Sequence, residues 1–367
     1  MELGVRRKRR ILVLEEIDGR CEARAVRVDE KRGTVSAAGG ARFLPGPDAV
    51  RRPLFPWDRI VAGLDSSRAT TVEQTVRVRR KDAVRAMDEG ELDSLLYRGF
   101  WGLLNRHRAW AAEKMSVSEL ELTLSGVRVV RLSLDGRETL NPLGLAGREL
   151  ALRLRATFIP RDLLGLVRGL AGKAREVVVL EEESAMGVTV CAPGQYLFHI
   201  METKTEVFGA DEETTMHRGE YPWGVGHLDR AVGKLFGVGD AVARLILSRY
   251  TIGEVSPRLG RAIAQALSGE LAALRGIVDQ HLKRGKRRFQ GSVAVRVPLA
   301  FPPRWLHELH LRPVGAAEKL AAQGFTMIPS EMPDATMALI AISAPEGEEG
   351  LVNQLLRRRV RWLTPIV

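Results

Sequence analysis

No stretch of the sequence approaches the roughly 20 uninterrupted apolar residues that a membrane-spanning helix needs. The run Ile11-Leu12-Val13-Leu14 is followed at once by Glu15 and Glu16, so it reads as a core strand rather than as the apolar stretch of a signal peptide. Cysteine is scarce. Cys21 and Cys191 lack metal-ligand spacing and read as reduced thiols of a cytoplasmic protein. Aromatics make up only 5% of the 367 residues, and there is no recognition-helix or RNA-stacking motif, so nucleic acid is not an expected partner. There is also no Gly-x-Ser-x-Gly elbow, Walker loop or dinucleotide fingerprint. His107, His199, His217, His227, His281, His307 and His310 form no ligand pattern, and no metal is expected.

What is present is an ordinary globular composition, 45% hydrophobic and 28% charged, with a net charge of +11. That length exceeds one core and implies two domains or several subdomains. The basic residues cluster at Arg6–Arg10, Arg77–Lys81, Lys283–Arg288 and Arg357–Arg361, each of which reads as a solvated face or as a surface for an anionic partner.

Strands are expected at Arg10–Glu16 and Cys21–Val28, joined through Asp18-Gly19, a hairpin turn pair. Further strands are expected near Gly33–Ala38, Arg59–Leu64 and Thr71–Arg79. A helix over Gly90–Ala112 carries Leu92, Leu95, Leu96, Phe100, Leu103 and Leu104 at helical spacing. Two strands, Val117–Leu124 and Val127–Leu134, are split by Ser125-Gly126, and Glu149–Ile159 alternates as a half-exposed strand before a helix opening at Pro160 and a strand at Arg175–Leu180. The second half restarts with strands at Tyr196–Met201, near Glu206 and at Thr214–Gly219. Helices follow at Gly226–Phe236, Asp240–Tyr250 and Ser256–Arg284, then a strand at Val293–Val297, a helix at Pro313–Gln323 and an apolar element at Ala335–Ile342. Two halves that each open with strands and close with helices suggest a duplicated α/β fold.

Several stretches resemble the bacterial FtsA family of actin homologues and its relative PilM. Asn141-Pro142-Leu143-Gly144-Leu145-Ala146-Gly147 with the strand after it resembles a Pro-Leu-Gly turn of the family's extra subdomain, called 1C. Val177–Val188 resembles the return to the main body, Gly219–Leu228 a Gly-Gly helix start, and Pro333–Leu339 the closing element. The resemblance implies an actin-like, ribonuclease H-like duplicated ATPase fold with a 1C insertion. By that reading residues 1–70 begin the first half, 71–170 are the insertion, and 171–190 return to the first half. Residues 191–342 form the second half, with a reduced 2B part near 240–290, and 343–367 a linker and C-terminal helix.

The family grips ATP with two glycine-bearing hairpins, whose bare backbone approaches phosphate. The first would fall at Glu15, Asp18 and Gly19, where the hydroxyl residue is missing and carboxylates crowd the turn. The second would fall at His199–Glu206, where Met201, Glu202 and Thr203 replace three glycines, leaving Thr203, Lys204 and Thr205 as degenerate candidates. The adenosine turn would follow Val297, where Pro298–Pro303 has no glycine pair. ATP hydrolysis is therefore not expected and no cofactor is required. An ATPase with unconventional loops that holds ATP and magnesium is the alternative.

Glu348–Leu363 reads as a basic amphipathic helix. Leu351, Leu355 and Leu356 lie at or near an apolar face, Arg357, Arg358 and Arg361 largely opposite, and Trp362 at an edge. It is a candidate for the inner face of the cytoplasmic membrane, or else for docking on the body or a partner. The expected function is a divergent FtsA-like scaffold of the division or envelope machinery that self-associates or binds other such proteins. A PilM-like adaptor of a type IV pilus or secretion platform is the alternative.

Overall fold

The computed structural model describes residues 8–17, 20–38, 42–50, 57–181, 191, 194–211, 213–284, 293–297, 301–314, 320–321, 324–327 and 350–361. The chain divides into two units. Unit 1 takes Met1–Thr189, Glu213–Met216 and Ala316–Val367, and unit 2 takes Val190–Glu212 and His217–Gly315.

Unit 1 opens with β1 (Lys8–Ile17) and β2 (Arg20–Asp29), paired antiparallel from Lys8↔Asp29 to Ile17↔Arg20. That closing pair leaves two residues between the strands, the spacing an Asp-Gly turn requires, although Asp18 and Gly19 themselves lie outside the described residues. β3 (Thr34–Ala37) and β4 (Arg42–Leu44) extend this side of the sheet. On the other side β1 pairs in parallel with β5 (Trp57–Leu64). Residues Ile11–Leu14 are all buried, because a sheet covered on both faces makes consecutive apolar residues favourable.

Between β5 and the last strand of this sheet the chain builds a separate layer. It comprises β6 (Thr70–Arg79), α1 (Glu89–Lys114), β7 (Leu122–Leu134), β8 (Arg137–Glu138) and β9 (Glu149–Pro160), with β9 antiparallel to both β6 and β7. The Asp88 carboxylate accepts from the Glu91 N–H at 2.8 Å and caps α1. Leu92, Leu95, Leu96, Phe100 and Leu103 are fully buried beneath the helix. The two strands expected at 117–124 and 127–134 are instead one strand, β7, with register irregularities between Leu124 and Gly126 and between Val129 and Arg131. A bulge absorbs the Ser-Gly pair without ending the strand. The chain then passes through α2 (Leu164–Ala171) into β10 (Ala174–Glu181), which lies parallel to β5 at the sheet's end. The central order is thus β3-β2-β1-β5-β10.

Unit 2 repeats this order. Its strands are β11 (Tyr196–Ile200), β12 (Thr205–Ala210), β13 (Thr214–Tyr221, whose first three residues fall in unit 1), β14 (Val293–Arg296) and β15 (Leu311–Pro313), running β13-β12-β11-β14-β15. β11 is antiparallel to β12 and parallel to β14, as β1 is to β2 and β5. Its helices are α3 (Val225–Phe236), α4 (Asp240–Thr251), α5 (Pro257–Ala266), α6 (Ser268–Arg284) and α7 (Pro303–Glu308). The long helix expected over 256–284 is therefore two, parted at Leu267 before Ser268-Gly269. Pro313, expected to open a helix, ends β15. The short β16 (Thr326–Met327) pairs with β3 in unit 1, and the apolar element expected at 335–342 lies outside the described residues.

The last element, α8 (Leu351–Val360), takes the alternative expected for it, with its apolar face docked on the body. Val352, Leu355, Leu356 and Val360 are 5% exposed or less and belong to the same core as α1, β7 and β9. The Asn353 side chain accepts from the Val129 N–H at 2.7 Å and donates to the Val129 carbonyl at 3.1 Å, filling in for a neighbouring strand at the rim of β7. Arg359 Nε donates to Asp93 on α1 at 2.5 Å. The apolar face is consumed by protein, so only the basic face with Arg357, Arg358 and Arg361 remains exposed, and Trp362 lies outside the described residues.

Buried charge ties the layer together. Glu73 on β6 receives Arg153 Nε at 2.6 Å and Arg155 Nε at 2.8 Å from β9. Burial would raise its pKa, yet Arg155 and Arg153 together hold it below the usual carboxylate value. Glu181, wholly buried at the end of β10, accepts from the Thr71 N–H at 2.9 Å and from the Lys114 ammonium, while its own N–H donates to Thr71 Oγ1 at 3.0 Å.

Two outcomes follow. Leu356→Ala should cost about 2–5 kcal/mol of unfolding free energy in denaturant melts; a helix that merely rested on a bilayer would leave the isolated protein's stability unchanged. Glu73→Gln should cost about 3–5 kcal/mol at neutral pH by leaving the buried Arg155 and the half-buried Arg153 without their counter-charge. A lowered folded-state pKa adds stability that is present above the unfolded value and lost as pH falls through the folded value. The gap between wild type and Glu73→Gln should therefore narrow on acidification, and a gap constant from pH 7 down through the carboxylate range would contradict it.

Candidate functional site

The hairpin joining β11 to β12 is where a second phosphate loop would sit. Met201 is buried, and its N–H donates to the Lys204 carbonyl at 2.9 Å. The start of α3 presses against this turn. The Val225 N–H donates to the Met201 carbonyl at 2.9 Å and the Gly226 N–H to the Glu202 carbonyl at 2.8 Å. Free amides at a helix start are the usual anion cradle, and two of them here are spent on the hairpin. A Cβ on Gly224 would lie 2.5 Å from both carbonyl oxygens, so glycine at 224 serves this close approach of two backbones rather than a ligand.

The remaining side chains are engaged too. The Thr205 hydroxyl donates to the Trp223 carbonyl at 2.7 Å. The Lys204 ammonium pairs with Glu206 at 2.5 Å and Glu220 at 3.2 Å. Arg244 on α4 donates to Glu202 at 2.6 Å and to Asp229 at 2.9 Å. Burial raises the Asp229 carboxyl's pKa despite that bond. Thr203 is exposed. In the first hairpin Glu15 is 1% exposed within the sheet. Its companions Asp18 and Gly19, like residues 298–300 of the third expected turn, lie outside the described residues. The structure therefore brings Thr203, Lys204 and Thr205 together at one turn, but turned to the protein's own contacts.

A groove of unit 2 was not singled out in the sequence. His227, Arg230 and Lys234 line it from α3, facing Glu270 on α6. Trp223 donates its indole N–H to Glu270 at 3.0 Å and stacks on His227 with ring centroids 6.3 Å apart. The helical spacing 227, 230, 234 was a legible signal of a basic stripe. His199, His217 and His281 are buried, and His281 meets the Tyr221 hydroxyl at 2.6 Å. No group of His, Cys, Asp and Glu among the described residues could hold a metal ion.

Unit 1 offers a second surface. Among the described residues β10 is the end strand of its sheet, and Val177 and Val178 are only half-buried. Near it stand Arg59 on β5, Arg128 on β7, Arg155 on β9 and Arg357 on α8. Burial pushes the Arg128 guanidinium's pKa down; repulsion from Arg155, Arg357 and Arg59 adds to this, and Glu176 opposes it. Arg59 is itself held by Glu176 at 2.7 Å. β10 thus presents half-exposed valines at the end of its sheet, with Arg128 beside them.

No protein-family profile matches the chain, and no curated protein matches it. Solved structures do. The PilM–PilN type IV pilus biogenesis complex aligns over 92% of this chain and 99% of the matched chain, at 13% identity and a TM-score of 0.51. The ethanolamine utilization protein EutJ from Carboxydothermus hydrogenoformans aligns over 92% and 90%, at 11% identity and a TM-score of 0.38. A non-polymerising MamK mutant bound to AMPPNP aligns over 92% and 97%, at 8% identity and a TM-score of 0.39. Taken with the repeated strand order of the two units, the PilM likeness establishes that this chain has the actin-like ATPase fold.

Proposed function

We propose that this chain is an adaptor of the PilM kind, holding an extended segment of a partner protein from a pilus or envelope machine, and that it does so without hydrolysing ATP. The observation that carries the reading is the β11–β12 turn. Its carbonyls take the α3 amides, its lysine takes two carboxylates, and its threonine takes a backbone carbonyl. A triphosphate would have to break all of these contacts, each about 0.5–1.5 kcal/mol net for neutral groups and more for charged ones. The partner side rests on the end strand β10, whose half-exposed valines an extended segment could lie against and whose neighbouring Arg128 and Arg357 favour an acidic or carboxylate-bearing segment. The fold likeness to the PilM–PilN complex supports this partner class over the division-scaffold reading. No helix among the described residues is long and apolar enough to cross a membrane, so peripheral placement would come through the partner or the basic face of α8.

A second reading, an ATPase with altered loops, is favoured by one feature. The α3–α6 groove with Arg230, Lys234 and Glu270 has the polar lining that a nucleotide base and ribose use.

Calorimetry with ATP and magnesium separates the two. The adaptor reading expects no binding tighter than about 100 μM, roughly −5.5 kcal/mol, and tighter binding would revive the ATPase. In pulldowns against pilus and division proteins of the same organism, capture of a pilus component should drop about tenfold in Val178→Asp and Arg128→Glu, roughly 1.4 kcal/mol. Capture indifferent to both substitutions, or of division proteins alone, would overturn the adaptor reading.

A further inference from the structure

The α3–α6 groove of unit 2 encloses about 570 Å³ and carries unspent donors on one wall and an unspent acceptor on the other. His227, Arg230 and Lys234 lie three and four residues apart on α3, so one face of the helix presents all three. Helix side chains lean toward the N-terminus. Arg230 shows this lean, since its Nε donates to the Gly226 carbonyl at 3.3 Å. That bond uses one of five guanidinium N–H groups and leaves the others for a ligand. Lys234 makes no hydrogen bond or ion pair with the described residues, and its ammonium sits on a stem flexible enough to reach back toward Arg230.

The second observation concerns where the His227 proton sits. The Gly224 N–H donates to His227 Nδ1 at 3.3 Å. A ring nitrogen that accepts carries no proton, so the proton is on Nε2. Nε2 has no partner among the described residues and is not a buried atom, which leaves an N–H donor open to the groove. Turning the ring over would give up the Gly224 bond, and stacking on Trp223 holds its plane. On the other wall Glu270 spends Oε2 on the Trp223 indole N–H at 3.0 Å. Its Oε1 also has no partner among the described residues and is not buried. Trp223 touches both His227 and Glu270 and is itself buried, so it sets the spacing between donor and acceptor.

We propose that this groove binds a small phosphate monoester that also carries an amine. The phosphate takes Arg230, Lys234 and the His227 Nε2–H, and the ammonium takes Glu270 Oε1. The short carbon chain between them lies over the half-buried Ala231 and Ala266. Charge selects this class. Two cations and one carboxylate leave the groove a single positive charge, and a phosphate monoester of about −1.5 to −2 at neutral pH, joined to one ammonium, largely cancels it. A phosphate without the amine would face Glu270 unmatched, and an amine without the phosphate would leave both cations unmatched. The site needs neither the β10 surface nor a nucleotide, whose base offers no aliphatic ammonium. The same group occurs free or as a lipid headgroup. In the lipid the phosphate is a diester with one negative charge, so the charge match favours the free monoester.

The test is an NMR titration of the full chain with O-phosphoethanolamine, ethyl phosphate (which lacks the amine), ethanolamine (which lacks the phosphate) and adenosine monophosphate. O-phosphoethanolamine should shift the Trp223 indole N–H and the His227 ring nitrogens saturably. The other three should each bind at least about tenfold more weakly, roughly 1.4 kcal/mol. Glu270→Gln keeps an acceptor for the Trp223 indole and should bring O-phosphoethanolamine down to the level of ethyl phosphate. Arg230→Gln combined with Lys234→Gln, both at exposed positions, should weaken binding at least about tenfold at an unchanged denaturation midpoint. Sedimentation of the chain with phosphatidylethanolamine vesicles would assign the groove to a lipid headgroup and overturn the free-monoester assignment. No saturable shift up to about 10 mM O-phosphoethanolamine, equal binding of ethyl phosphate or adenosine monophosphate, or full binding by the doubly substituted chain would each overturn the proposal as well.

Discussion

One buried carboxylate fixes where the inserted layer sits. Glu181 ends β10, the outermost strand of the central sheet of unit 1, and its side chain reaches the backbone of Thr71 and the ammonium of Lys114 in the insertion. Thr71 answers by accepting the Glu181 N–H and sharing a hydroxyl contact of 2.9 Å with Thr157. A carboxylate that is 0% exposed must have its charge met. Only one placement of β6 and α1 meets it, so the layer's position against β10 is specified by charge where apolar packing alone would tolerate sliding. The surface at β10, with its half-exposed valines, depends on that placement.

The parts legible in the sequence were those carried by local pattern. The helical spacing from Leu92 to Leu104 gave α1, alternation gave β6 and β9, and the Asp-Gly pair marked the joint between β1 and β2. The contacts of the turn at 201–203 were illegible, because Gly224 and Val225 approach Met201 from more than twenty positions away. Glu73, Arg153 and Arg155 look in sequence like surface residues of half-exposed strands. Their pairing appears only once β6 and β9 are laid side by side in register, and Glu181 finds Thr71 across 110 positions. Strand order in both units is likewise a matter of long-range pairing, and the resemblance to actin homologues supplied the duplicated fold where periodicity could not.

The C-terminal helix shows how one pattern serves two destinations. Its apolar stripe and basic back are what an interfacial helix needs, and the same stripe serves equally to close a protein core. The decision is made by Asn353 and Arg359, two polar residues on its flanks. Asn353 matches both free backbone groups of Val129, and Arg359 meets Asp93. Lipid offers neither partner, so the polar residues of an amphipathic helix, more than its leucines, name the surface it belongs to.

That docking has a consequence for biosynthesis. The insertion's strands leave the ribosome early, yet Val129 must wait for a residue 224 positions later to fill its open edge. At translation speeds of about 5–20 residues per second the gap is on the order of tens of seconds. For that interval the nascent layer exposes the hollow that Leu355 and Leu356 will occupy, together with an unpaired strand rim. The chain's own tail, through Leu355, Leu356 and Asn353, is what closes that hollow.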